Sequence, residues 1–149
     1  MDHTPLIDHS CGFCVEIHDM DTDNNLFKRV IAPETGLTSR YVYEDDTFVV
    51  MPTLGAFVEG YVMIVSKEHH DCVGKMSAED IAHLEALMEK ITHRIREVYG
   101  TGVICFEHGA FRSQSICKHA GLILCKALQC SAMVDMLMSD EYRINILWR

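Results

Sequence analysis

Cys11 and Cys14 stand near the start of the chain in the run Cys11-Gly-Phe-Cys14, and two imidazoles, His69 and His119, lie far downstream. Two thiolates and two imidazoles form the donor set of a closed tetrahedral zinc site, in which protein fills all four positions and the role is structural. Zinc held by these four would fasten the N-terminus to the middle and to the last third of the chain. Its binding energy would then count toward folding. A redox couple is the other chemistry open to the thiol pair, and it favours a helix N-terminus that follows a strand, where the thiol pKa falls. No strand pattern precedes Cys11, so zinc is the preferred expectation. His69 closes a strand pattern after Ser66-Lys-Glu. Its neighbour His70 faces the other way by the two-residue period of a strand, so one of the two is expected to ligate.

The elements that position these groups belong to a chain of 149 residues, which reads as one domain. A chain of that size buries roughly two-thirds of its unfolded surface, enough for a core without staples. Thirteen Lys and Arg against 22 Asp and Glu leave a formal charge of −9. That balance argues against a DNA- or RNA-binding face, which needs net positive charge. A small phosphate remains compatible, because backbone N–H groups can hold it whatever the global charge. No apolar run approaches the roughly 20 residues needed to cross a bilayer, so no membrane span is expected. The polar N-terminus lacks the basic-then-apolar layout of a signal peptide. The seven cysteines are an odd number set in apolar segments. Cys72, Cys105 and Cys130 therefore read as buried reduced thiols, and a cytoplasmic location is expected.

Residues 1–10 read as a flexible N-terminus, and 11–17 as a turn leading into one helical turn. The polar stretch 19–36 reads as a surface excursion. Asp19, Asp21 and Asp23 resemble the opening of a calcium loop, but the required Gly and distal Glu are absent. Runs rich in β-branched and aromatic residues predict strands at 41–43, 47–51, 61–65 and 103–106, with a last core strand at 116–124. One helix is predicted over 78–99. Ser77 and Asp80 form its capping box, Ile81, Leu84, Leu87, Met88, Ile91, Ile95 and Val98 form its apolar stripe, and Gly100 stops it. His83 and His93 lie off that stripe and read as solvated. An amphipathic helix at 127–138 is the expectation for the Met-rich end. These elements predict an α+β domain, an antiparallel sheet of about five strands with one long helix packed on it.

Several of these runs resemble the histidine triad (HIT) superfamily. They are Cys11-Gly-Phe-Cys14, Tyr43-Glu-Asp, and the stretch from Phe48 through Pro52-Thr-Leu-Gly55 and Gly60-Tyr-Val-Met-Ile-Val-Ser-Lys-Glu-His69. Val103-Ile-Cys-Phe-Glu-His-Gly109 is similar to the branch that carries Phe-Glu-His-Gly in the penultimate core strand. The resemblance covers residues 11–125, with an extra loop at 19–36, and leaves 126–149 as a divergent C-terminal segment. It implies a HIT-like sheet-and-helix fold, often a homodimer. It also implies binding of nucleoside phosphates, with hydrolysis or nucleotidyl transfer through a covalent histidine intermediate.

The superfamily's signature is His-φ-His-φ-His-φ-φ on the last core strand, with φ apolar. In zinc-bearing members the first histidine joins the two cysteines, the middle one attacks phosphorus and the third supports the phosphate. In this chain the matching stretch is His119-Ala-Gly121-Leu-Ile123-Leu-Cys125. Gly121 stands at the nucleophile's place and Ile123 at the third histidine's. A rival alignment near Lys126-Ala-Leu-Gln-Cys130 holds no histidine either. The resemblance thus implies Cys11, Cys14, His69 and His119 as structural zinc ligands, with no catalytic residue assigned. Thr53 stands where many relatives carry an acidic residue that grips a ribose hydroxyl. His108, Ser113, Gln114 and Ser115 would border a phosphate.

Two functions follow. One is a nucleotide- or phosphate-binding protein that has lost its nucleophile and acts without turnover. The other is an active nucleotide hydrolase or nucleotidyl transferase using a displaced side chain, with Cys117 or Cys125 as nucleophile and His108 or His119 as base.

Overall fold

Phe48-Val-Val-Met-Pro52 and Val62-Met-Ile-Val-Ser66 are near-continuous apolar runs, which a strand shows when both of its faces are covered. The computed structural model, which describes residues 6–54, 56, 58–107 and 121–126, places them at the centre of a five-stranded antiparallel sheet. The strands are β1 (Tyr43–Glu44), β2 (Phe48–Pro52), β3 (Val62–Ser66), β4 (Val103–Glu107) and β5 (Gly121–Lys126), in the spatial order β1-β2-β3-β5-β4. The last strand in sequence is thus inserted between β3 and β4. Its register sets Gly121 opposite Val65, Ile123 opposite Met63 and Phe106, and Leu124 opposite Val62 and Cys105.

Helix α1 (Gly12–Ile17) and a short α2 (Ala32–Thr35) precede the sheet, and the long α3 (Ala78–Tyr99) follows β3. Helix α3 begins as its sequence demands. The Ser77 hydroxyl accepts from the Asp80 N–H at 3.0 Å and donates to the Asp80 carboxylate at 2.7 Å. Gly100, at φ 62°, ends it by giving its N–H to the Arg96 carbonyl. Leu84, Leu87 and Ile95 pack onto Phe48, Val50, Ile64 and Leu124, which forms one core layer. The opposite sheet face carries Val49, Met51, Met63, Val65 and Phe106 with Tyr61. Phe13 and Ile17 of α1, with Tyr41 and Val58, cover that second layer.

The architecture is the expected one, and it differs from the sequence-based expectation in several particulars. The stretch 19–36 is more than a surface excursion. It holds a π-helical turn (Phe27–Ile31) that runs into α2. Phe27 is buried, and Asn25, 1% exposed, donates to the Met20 carbonyl and accepts from the Lys28 N–H. A buried amide that closes its own loop in this way has no signature in composition. The first strand sits at Tyr43–Glu44 instead of 41–43, because the Arg40 and Tyr41 side chains turn toward α1. Cys72 and Cys105 are half-buried, not fully buried as expected. His93 is exposed beside Glu97, whereas His83 is partly sheltered against Phe48 and faces Asp45. β5 continues past Leu124 to Lys126, which pairs with Val103. Residues 1–5, the stretch 116–120 and the helix expected at 127–138 lie outside the described residues.

Candidate metal centre

Cys11 is the N-cap of α1, in extended backbone geometry at φ −83° and ψ 122°. Its N–H binds the Asp8 carbonyl, and its own carbonyl receives the Val15 N–H. This start of the helix turns Cys14, one turn later, to the same inner side. The other half comes from the end of β3. There the Ser66 hydroxyl donates to the Glu68 carbonyl, and the His69 N–H binds the Leu6 carbonyl at 2.8 Å. His18, just after α1, contacts the Lys67 carbonyl through Nε2 at 2.9 Å, which ties the helix to the same strand end.

These constraints bring Cys11, Cys14 and His69 together, their ligand atoms all within 4.8 Å of one another. The Cys14 Sγ lies 3.2 Å from His69 Nδ1. The residues are 2%, 0% and 8% exposed respectively, so the cluster is sealed from bulk water. Tetrahedral zinc with bonds of about 2.3 Å to sulfur and about 2.0 Å to nitrogen sets its donors roughly 3.6–3.8 Å apart. The observed separations span that value, and two soft sulfurs with one imidazole suit zinc. His70 is half-buried and outside the cluster, although β3 ends at Ser66 and neither histidine lies on a strand, contrary to expectation. Nearby, the Ser10 hydroxyl and then its backbone N–H hold the Asp8 carboxyl below its usual value. The other face of the His69 ring looks toward Asp71, with Nε2 at 3.7 Å from Oδ1.

Of the remaining expected site residues, Thr53 follows directly on β2. Its Oγ1 is buried and finds no hydrogen-bond partner among the described residues. His119, His108, Ser113, Gln114 and Ser115 lie outside the described residues, as does Cys117. Gly121 and Ile123 pair with Val65 and Met63 in the β3–β5 register.

One group of residues was missed in the sequence. The Arg40 guanidinium grips the Glu16 carboxylate with both arms, at 2.6 and 2.7 Å, and donates a third bond to the Pro52 carbonyl at 2.6 Å. Helix α1, which carries Cys14, is thereby tied to the strand end that leads into Thr53. Nothing in the spacing of Glu16 and Arg40 announces the pair. A small cavity of about 150 Å³ beside it is lined by Glu16, Asp19, Asn25, Lys28 and Tyr41 among others. Several of its polar groups are already engaged: Lys28 with Asp19, Asn25 with backbone, Glu16 with Arg40. Burial, with help from Glu16, pushes the Tyr41 hydroxyl up to about 12, so it stays protonated.

No protein-family model matches the sequence, and a search of curated proteins finds no relative. Solved structures do match in shape. A HIT-like protein from Bartonella henselae described as involved in cell-cycle regulation superposes with TM-score 0.62 at 14% identity, over 83% of this chain and 84% of that one. A HIT family protein from Bacillus anthracis gives 0.60 at 16% identity, over 89% and 87%. A zinc-bound histidine triad family protein from Mycobacterium smegmatis gives 0.60 at 17% identity, over 83% and 78%. Identity this low speaks for architecture alone, and that architecture, with its central antiparallel sheet and its long α3, is the histidine triad fold.

Proposed function

We propose that this protein is a zinc-clasped histidine triad fold that binds a nucleoside phosphate, or a related small phosphate, without turning it over. The observation that carries the reading is Gly121 on β5, paired with Val65 of β3. In a histidine triad the alternate positions of this strand hold the reacting imidazoles. A nucleotidyl intermediate needs a side-chain nucleophile, and glycine has none. Loss of a nucleophile leaves only positioning and electrostatics, a fall of several orders of magnitude in rate.

Three of the proposed donors meet just past the end of β3 at which Gly121 pairs with Val65. Cys11, Cys14 and His69 would hold the metal, with His119 as the proposed fourth ligand. Bound zinc would act there as a structural node rather than a Lewis acid, because four protein ligands leave no open position. Ligand recognition falls to the protein's own groups. The Thr53 hydroxyl, buried and without a partner among the described residues, would offer one hydrogen bond toward a sugar or phosphate oxygen, and His108, Ser113, Gln114 and Ser115 are proposed around the phosphate. The presence of a zinc-bound histidine triad protein among the structural neighbours supports the metal assignment.

The test is incubation of purified protein with adenosine 5′-phosphoramidate, followed by intact-mass measurement and assay of released AMP. The expected result is no covalent adduct and release no faster than in buffer, while a calorimetric titration with AMP shows saturable binding. A mass increase of one adenylyl group would replace this reading with the active hydrolase or transferase. Absence of AMP binding together with absence of an adduct would remove the nucleotide altogether.

A further inference from the structure

The imidazole at the metal cluster is addressed from both sides, and its second side has no part in the proposed function. His69 Nδ1 faces the Cys14 sulfur at 3.2 Å, so a metal held there would be bound by Nδ1, leaving Nε2 to carry the proton. Nε2 points toward Asp71 Oδ1 at 3.7 Å. The other Asp71 oxygen holds the Lys75 ammonium, four residues on. Lys75 lies in a single 3₁₀ turn (Val73–Lys75), and its ion pair with Asp71 is solvent-facing. Asp8 also lies near this cluster, but its Oδ1 is committed to the Ser10 hydroxyl and N–H.

We infer that Asp71 is a positioning residue for the zinc site: it faces His69 Nε2 across 3.7 Å and electrostatically favours the tautomer and ring orientation that present Nδ1 to the metal. The inference rests on the zinc reading of Cys11, Cys14 and His69. Metal-ligating histidines as a class give their second ring N–H to a carboxylate, carbonyl or water, and loss of that partner weakens metal binding about 10- to 100-fold. Here the carboxylate is 42% exposed and 3.7 Å away, longer than a hydrogen bond. The effect therefore belongs at the low end, about tenfold.

The experiment compares zinc dissociation constants, by competition with a chromophoric chelator, for the wild-type chain and for Asp71→Ala, Asp71→Asn, Lys75→Met and Cys14→Ala. Visible spectra of the cobalt-loaded forms and melting temperatures of the metal-free forms are recorded alongside. Asp71→Ala should bind zinc about tenfold more weakly and shift the cobalt ligand-field bands, with its metal-free melting temperature unchanged. Asp71→Asn, which keeps an acceptor oxygen, should fall between it and wild type. Lys75→Met, which breaks only the outer ion pair, should stay near wild type. Zinc affinity and cobalt spectrum both unchanged in Asp71→Ala, while Cys14→Ala loses the metal, would overturn the role of Asp71 and leave the zinc site standing. That role is equally overturned if Lys75→Met reproduces the Asp71→Ala loss, or if the metal-free protein is destabilised in parallel, since either marks a merely structural turn. A wild-type chain that takes up no zinc would overturn both readings together.

Discussion

Asp45 shows how one side chain can hold a turn and make it depend on pH. Its Oδ1 accepts from the Phe48 N–H at 2.7 Å and the Thr47 N–H at 2.9 Å, closing the link between β1 and β2. Its Oδ2 accepts the Tyr43 hydroxyl at 2.9 Å and faces His83 Nε2 at 3.1 Å. Burial pushes this carboxyl up, but the two backbone N–H groups, the Tyr43 hydroxyl and His83 outweigh it and hold its pKa below the ordinary value. Since the folded pKa lies below the unfolded one, ionised Asp45 stabilises the fold above the ordinary carboxylate range, and that contribution is lost as pH falls through the folded value. Asp45→Ala should therefore cost about 1–3 kcal/mol at neutral pH by urea denaturation. Asp45→Asn, which keeps the Oδ1 acceptor, should cost less. Its deficit against wild type should shrink as the melts are repeated from about pH 5 downward. A deficit that stays constant with pH would mean that the carboxylate's charge contributes nothing.

Helix α1 and strand β2 meet through the Arg40–Glu16 pair, whose side chains are 8% and 7% exposed. A buried pair of this kind is weak evidence for net stabilisation, because both ions were desolvated to make it. Removing one partner, however, leaves an uncompensated charge and costs about 3–5 kcal/mol. Arg40→Met should lose stability of that order in a denaturant melt, and adding Glu16→Leu should restore a large part of it. Equal losses in the single and double variants would show that the Arg40 bond to Pro52 matters more than the ion pair. This pair also marks the limit of what the sequence reveals. Helix α3 was legible because Ser77, Asp80, the apolar stripe and Gly100 are local signals. β2, β3 and β4 were legible because β-branched runs read the same in any context. Cys11, Cys14 and His69 were legible by residue type. Glu16 and Arg40 lie far apart in sequence, and only the packing of α1 over the second core layer brings them together. Asn25 and Phe27 sit in a segment whose polarity suggested solvent, although one buried amide and one ring are enough to tie it down.

The two faces of the sheet depend on different things. On one face, α3 covers Phe48, Val50, Ile64 and Leu124 with Leu84, Leu87 and Ile95, a layer that needs no metal to form. On the other face, the cover is the six-residue α1, too short to be stable by itself. It stays in place through Phe13 and Ile17, the Arg40 pair, the His18 contact with the Lys67 carbonyl and the thiol–imidazole cluster. Zinc at that cluster would therefore stabilise the α1 side selectively. With free zinc at a thousand times its dissociation constant, linkage contributes about 4 kcal/mol, which for a chain of this size corresponds to a melting shift of roughly 8–16 °C. Stripping the metal with a strong chelator should lower the melting temperature by that order, and zinc, but not magnesium, should restore it. Hydrogen exchange should place the loss. Amides of α1 and its flank, among them Val15 and His18, should lose the most protection in the stripped protein, while those of α3 and of the β2–β3 pair lose no more than the global fall in stability. Acceleration spread evenly over α3 and the sheet would mean that the metal holds the whole core. No change in either melting or exchange would mean that the cluster is a packed pair of thiols with a histidine and binds no zinc.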